Sequence, residues 1–162
     1  MAAAPWYATG QTPGGGFSTL SLMDNPIPAR NRALLKGRRV LLVEDDIVLS
    51  MCLEDQLLEA GAEIVGCASA VGEALRIIER AAGREGIDVA VLDIHLDGHS
   101  VLPVADVLSR RGVPFLFSAG QGRGCNTGRH GAAPILRQPY QVRQLIQTIE
   151  ALCHAAECRL PR

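Results

Sequence analysis

Several features that would point to a particular class of protein are absent from this 162-residue chain. No apolar run approaches the ~18 residues that suggest a membrane-spanning helix. The N-terminus lacks the basic segment and the continuous apolar segment of a signal peptide. A formal net charge of -1 argues against a basic nucleic-acid-binding domain and against a polybasic membrane binder. We therefore predict no contact with nucleic acid and none with a membrane.

The cysteines also lack a recognisable spacing. There are five, an odd number, and no CxxC pair occurs, so neither a zinc ribbon nor a thioredoxin-like motif is supported. They are Cys52, Cys67, Cys125, Cys153 and Cys158. We interpret them as reduced thiols of a cytoplasmic protein, about three of which fill the core. The C-terminal group of Cys153, His154 and Cys158 matches the spacing of no standard zinc finger.

The composition indicates one globular domain with tails. Apolar residues make up 48% of the chain and charged residues 20%, close to the average of soluble globular proteins. Residues 1–29 contain a single charged side chain, Asp24, and are rich in alanine, glycine, proline, serine and threonine. We predict a flexible N-terminal tail over residues 1–36, a folded domain over residues 37–156 and a short C-terminal tail over residues 157–162.

From Arg39 onward, short apolar runs alternate with segments of helical periodicity. The predicted strands are residues 40–43, 63–67, 89–92, 115–117 and 135–136. Amphipathic helices follow them, except after the fourth strand, where residues 119–133 contain five glycines and predict a loop with at most a poor helix. This alternation predicts an α/β fold, a doubly wound parallel sheet covered on both faces.

Acidic residues follow two of the predicted strands. Glu44 and Asp45 come after the first and Asp93 after the third, while Asp46 is assigned to the N-cap of the next helix. Right-handed crossovers place the carboxyl ends of all strands at one edge, where ligands bind. Three converging carboxylates repel each other and need a cation, and oxygen ligands suit Mg²⁺. An aspartate beside Mg²⁺ can form an acyl phosphate with a phosphorylated donor.

Four segments carry a family resemblance. In order, they are VLLVEDD (40–46), VLDIHLDG (91–98), VPFLFSAG (113–120) and ILRQPY (135–140). Together they resemble the receiver domain of two-component response regulators over residues 38–155. The resemblance implies a stand-alone, flavodoxin-like receiver with strand order 2-1-3-4-5 and a fourth helix that is short or disordered. The segment 113–120 is most similar to the alphaproteobacterial FAT-GUY receivers, whose motif there is Pro-Phe-x-Phe-Ala-Thr-Gly.

The resemblance also implies roles for individual residues. Asp93 matches the phospho-accepting aspartate, Glu44 and Asp45 match the acid pair that holds Mg²⁺, and His95 falls where the family supplies a backbone carbonyl to the metal. The implied partner is a sensor histidine kinase or a histidine phosphotransfer protein, with a downstream protein partner. The implied protein is a phosphoacceptor rather than an enzyme, with at most slow autodephosphorylation.

Three positions depart from the family pattern. Gln138 stands where receivers have a lysine before the proline, and Arg137 beside it is expected to point to the opposite face of its strand. Counting from the strand-four proline puts Ala119 at the hydroxyl position, so Ser118 is the candidate only after a shift of one residue. Ile135 replaces the aromatic residue of the usual Thr–Tyr switch.

Two functions therefore stay open: a phosphoacceptor with altered switching, and a pseudo-receiver that binds a partner independently of phosphorylation. Either would signal through the face formed by strand four, strand five and the last helix.

Only about seven residues follow the last helix, too few for a DNA-binding module. An aspartate-dependent phosphatase would need an acid where His95 stands. Residues 120–125 lack the final glycine of a dinucleotide-binding loop.

Overall fold

A computed structural model of the chain describes residues 33–84, 86–120 and 124–158. The predicted N-terminal tail lies outside these residues as far as residue 32, and so do residues 159–162 of the predicted C-terminal tail. No helix in the described ranges has the length and apolar character of a membrane span.

Strands and helices alternate as the sequence predicts. The strands of the main sheet are β1 (Arg39–Val43), β2 (Glu63–Ala68), β3 (Val89–Asp93), β4 (Phe115–Ala119) and β5 (Ile135–Arg137). The helices are α1 (Ile47–Glu59), α2 (Val71–Ala82), α3 (Leu102–Arg110) and α4 (Val142–Glu157). The strands are parallel in the order β2-β1-β3-β4-β5. The doubly wound, flavodoxin-like fold and its strand order are thereby confirmed.

Both faces of the sheet are buried, which explains the continuous apolar runs. In β1, Val40 and Leu42 pack with α1 and α4, whereas Leu41 and Val43 pack with α2 and α3. Alternate side chains of a strand point to opposite faces, so a strand covered on both sides needs apolar residues at every position. The same two layers continue through β3 and β4 and leave the carboxyl ends of the strands open.

Asp46 fixes the point at which α1 begins. Its Oδ1 accepts hydrogen bonds from the backbone amides of Val48 (2.9 Å) and Leu49 (3.0 Å), which confirms the predicted N-cap. The helix ends before Gly61, whose φ of +90° favours glycine. Because the cap comes directly after Asp45, the two preceding carboxylates remain on the short connection between β1 and α1.

A short antiparallel hairpin between β3 and α3 was not predicted. His95–Leu96 pairs with His99–Ser100 across a two-residue turn. The turn residues Asp97 and Gly98 have φ values of +46° and +81°, the left-handed conformations of a type I′ turn. The dipeptide Asp-Gly is the usual signal for this turn, so the hairpin was visible in the sequence.

Between β4 and β5, the described residues form turns and irregular coil rather than a helix. Residues 124–133 are tied to α3 through Asp106, whose Oδ1 lies 2.6 Å from Nε2 of His130 and accepts a 3.0 Å hydrogen bond from Nε of Arg129. The buried His130 ring also packs edge-on against Phe115, with the ring centroids 5.3 Å apart. The prediction that this segment contains little helix therefore agrees with the described residues.

Leu35 is expected to be essential to the core although the sequence analysis places it in the tail. It is fully buried among residues of α1 and α4, and its amide donates to the carbonyl of Ala60 at 3.1 Å. Leu35→Ala should lower the free energy of unfolding by about 2–5 kcal/mol, because it leaves a cavity. Urea denaturation followed by circular dichroism measures this. Leu58→Ala is the control, since Leu58 is 48% exposed, and equal effects of the two substitutions would refute the assignment.

Candidate functional site: an acidic pocket at the carboxyl edge of the sheet

Three carboxylates meet where β1 and β3 end. The two strands are neighbours in register, with Val43 beside Leu92, so Glu44 and Asp45 emerge next to Asp93. One carboxylate oxygen from each of the three residues lies within 4.8 Å of the others. The structure thus brings together the acidic residues that the sequence analysis selected.

The electrostatics of this acidic pocket favour a bound cation. Glu44 is only 4% exposed, and burial, followed by the charge of Asp93, raises the pKa of its carboxyl to about 8. Asp45 and Asp93 are partly buried beside it. A hard divalent cation with oxygen ligands would relieve the repulsion, and Mg²⁺ is characteristically bound by one or two carboxylates together with water. The donor set therefore fits Mg²⁺.

Backbone amides orient all three carboxylates. Asp46 donates to Oε1 of Glu44 at 3.2 Å, and His95 donates to Oδ1 of Asp93 at 3.3 Å. The amide of Asp97, at the tip of the hairpin, donates to Oδ2 of Asp45 at 2.6 Å. The hairpin therefore helps to orient a carboxylate of the pocket. Its first residue, His95, lies close to Asp93. The contribution of Asp97 was missed because the hairpin was missed.

Ser118 faces the acidic pocket and Ala119 does not. Ser118 lies in register with Asp93 across β3 and β4, and neighbouring residues in register point to the same face. The methyl group of Ala119 belongs instead to the core layer under α2 and α3, together with Phe117. Of the two hydroxyl positions weighed in the sequence analysis, the structure therefore puts the serine on the side of the carboxylates.

Gln138 joins Ser118 on this face. Its Nε2 donates to Oγ of Ser118 at 3.0 Å. Arg137 is exposed and lies in register with Ala119, and therefore on the opposite face. The amide of Gln138, rather than the guanidinium of Arg137, occupies the position beside the pocket, as the alternation of a strand predicts.

Tyr140 is a further component that the sequence analysis did not assign. Its hydroxyl accepts a 3.5 Å hydrogen bond from Oγ of Ser118, and its ring is buried. Burial, reinforced by the charges of Glu44 and Asp93, raises the pKa of the Tyr140 phenol to about 12. The phenol is therefore protonated near neutral pH. Ser118, Gln138 and Tyr140 form a chain of neutral polar groups beside the three carboxylates.

Comparisons with known proteins show what the chain is similar to. No protein-family model matches the chain. The response regulator protein FleR from Pseudomonas aeruginosa is 32% identical over 117 residues, which are 68% of this chain and 24% of FleR. The chain thus spans about a quarter of that curated relative. The solution structure of SdrG from Sphingomonas melonis Fr1 is 32% identical with a TM-score of 0.63, over 72% of this chain and 96% of SdrG.

A second solved structure supports the fold alone. It is a response regulator receiver domain protein from Clostridium thermocellum, which is 20% identical to this chain. The match has a TM-score of 0.66 and covers 76% of this chain and 99% of that protein. This match therefore shows that the two proteins share their fold.

Proposed function

Since the chain belongs to the response regulator receiver family, we propose that Asp93 accepts a phosphoryl group from a sensor histidine kinase or a histidine phosphotransfer protein. The observation that carries this proposal is the acidic pocket, in which Asp93 ends β3 beside Glu44 and Asp45. The phosphorylated protein then signals by contact with a downstream protein. It is a phosphoacceptor rather than an enzyme, and slow autodephosphorylation resets it.

Asp93 acts as the nucleophile in the proposed reaction. A carboxylate oxygen of Asp93 attacks phosphorus, the phosphorus–nitrogen bond of the phosphohistidine breaks, and the imidazole leaves with the bonding electron pair. Glu44, Asp45 and Asp93, with the backbone carbonyl of His95, would hold Mg²⁺. When bound, Mg²⁺ supplies positive charge that neutralises the phosphoryl oxygens. The amide of His95 keeps the Asp93 side chain oriented through its 3.3 Å hydrogen bond.

The neutral groups beside the pocket support a receiver with altered switching. Ser118 is the proposed hydroxyl that contacts the phosphoryl group, and Gln138 takes the lysine position with an amide that donates a hydrogen bond without charge. The segment 113–120 supports placement among the FAT-GUY receivers. We propose that the signal leaves through β4, β5 and α4, bordered by residues 124–133. A pseudo-receiver that binds its partner without phosphorylation is the alternative, which the uncharged Gln138 favours.

Incubation with acetyl phosphate tests the proposed reaction without a protein partner. In the presence of Mg²⁺, the chain should gain one phosphate in its intact mass, and hydroxylamine should remove it, because an acyl phosphate is labile to hydroxylamine. Chelation of Mg²⁺ with EDTA should prevent the gain, since the repulsion in the acidic pocket is then unrelieved. A folded protein that stays unmodified under all these conditions would favour the pseudo-receiver.

An apolar stripe on α1 is the proposed docking surface for the phosphodonor. Ile47, Met51 and Leu58 are 71%, 61% and 48% exposed and share one face of the helix, which begins beside the acidic pocket. Large exposed apolar side chains in a row are typical of interaction surfaces. A donor that seats on this stripe would bring its phosphohistidine to the end of β3.

Met51→Glu should therefore slow phosphoryl transfer from a protein donor without changing transfer from a small-molecule donor. We expect at least about a tenfold slower phosphoryl transfer from a phosphorylated histidine phosphotransfer protein, because a charge in an apolar contact is costly to desolvate. The rate with acetyl phosphate should not change. Gln147→Glu, which adds the same charge on the exposed face of α4, is the matched control. Equal rates for the two variants with the protein donor would exclude the stripe.

A further inference from the structure

The C-terminal end of α4, remote from the acidic pocket, presents a histidine and a cysteine, two side-chain types that can ligate a metal ion. His154 and Cys158 lie one helical turn apart and are both exposed. Nε2 of His154 lies 3.9 Å from Sγ of Cys158. The pair is about 18 Å along the helix axis from Val142, where α4 begins. The proposed phosphoacceptor chemistry does not involve either residue.

The separation of the two atoms suits neighbouring corners of a tetrahedral zinc site. Zinc binds imidazole nitrogen at about 2.0–2.1 Å and thiolate sulfur at about 2.3 Å, so two such ligands of one tetrahedral ion lie roughly 3.6 Å apart. A small rotation of either exposed side chain closes the difference from 3.9 Å. Soft thiolate and imidazole ligands favour Zn²⁺ over Mg²⁺, so the pair and the acidic pocket do not compete for one ion.

The described residues provide only two zinc ligands at this end of the helix. The nearby carboxylate of Glu157 is engaged in an ion pair with Arg38, and Cys153 is 3% exposed. Within the described ranges, the acidic pocket is the one group of three or more metal-ligating side chains close enough to share an ion. Structural zinc sites almost always have four protein ligands, so the pair needs two more ligands beyond those that the described part of the chain places here.

We propose that the His154–Cys158 pairs of two copies of this chain bind one Zn²⁺ and join the copies as a two-fold-symmetric dimer. The two pairs together make the Cys₂His₂ set of structural zinc sites. A two-fold axis through the ion brings identical surfaces together, which is the commonest arrangement of homodimers. Each thiol loses its proton on binding, so two protons are released per Zn²⁺ and the two thiolates neutralise the charge of the ion.

Titration of the full chain with Co²⁺ and Zn²⁺ tests the proposal. A reducing agent keeps the thiols free, and excess Mg²⁺ occupies the acidic pocket. Co²⁺ should produce a thiolate charge-transfer absorbance that saturates at one ion for every two chains. Zn²⁺ should displace the Co²⁺ and strengthen dimerisation at least tenfold by analytical ultracentrifugation, and EDTA should return the chain to its metal-free state.

Matched variants assign the effect to the pair. Cys158→Ser and His154→Gln should abolish the metal-dependent dimer, whereas Cys125→Ser, which removes a different partly exposed thiol, should leave it intact. Three results would overturn the proposal: saturation at one ion per chain without dimerisation, a dimer that resists EDTA, or a zinc response that survives Cys158→Ser.

Discussion

Asp93→Asn is expected to reduce acyl phosphate formation from acetyl phosphate to background, the largest effect predicted for this protein. The amide oxygen of asparagine is a poor nucleophile, and the substitution also removes a negative ligand from the cation site. The loss should be about 1000-fold or more, as expected when the only nucleophile of a covalent reaction is removed. Intact mass spectrometry of the folded variant, timed against the unmodified protein, measures it.

Asp97→Asn is the matched control for this loss. Asp97 contributes its backbone amide, rather than its side chain, to the acidic pocket. Its φ of +46° lies in the left-handed region that asparagine tolerates well, so the hairpin should persist. We expect phosphorylation at the original rate. If Asp93→Asn still gained a hydroxylamine-sensitive phosphate, Asp93 would not be the acceptor.

Gln138→Lys is expected to strengthen the response to phosphorylation. A phosphoryl group on Asp93 adds about two negative charges to a site that already holds carboxylates. The side chain of Gln138 reaches Ser118 on this face with a neutral amide, whereas a lysine there would bring a cation. Charge-assisted hydrogen bonds are roughly twice as strong as neutral ones, so the deficit is about 1–3 kcal/mol.

The variant should therefore raise the phosphorylation rate, or its coupling to residues 124–133, by about 5- to 150-fold. Intact mass over time measures the rate, and amide exchange with and without a beryllofluoride analogue measures the coupling. Arg137→Ala is the control, because Arg137 is exposed on the opposite face and should have little effect. The reverse pattern, loss with Arg137→Ala and no gain with Gln138→Lys, would mean that the arginine serves the site.

The fold was predictable because its determinants are local patterns. The continuous apolar run at residues 40–43 indicates a strand buried on both faces, and Asp46 indicates the start of α1. Alternation of strands and helices then restricts the topology, since parallel strands need right-handed crossovers. The convergence of Glu44 and Asp93 follows from that topology alone, without knowledge of any side-chain contact.

The remainder of the site depends on register and packing, which no local pattern specifies. Whether Ser118 or Ala119 faces the pocket is decided by the pairing of Ser118 with Asp93, and a shift of one residue would exchange them. Tyr140 belongs to the site because its hydroxyl accepts a hydrogen bond from Ser118, a tertiary contact between residues 22 positions apart in the sequence. Leu35 belongs to the core through a contact with the end of α1, and no strand or helix pattern around residue 35 predicts that contact.

Identification of the modified residue tests the central claim most directly. The chain is incubated with acetyl phosphate and Mg²⁺, reduced with borohydride, which converts an aspartyl phosphate to homoserine, and digested for peptide mass spectrometry. We expect homoserine at position 93, and only when Mg²⁺ is present. Homoserine at another position, or an unmodified Asp93 in protein shown to be folded, would contradict it.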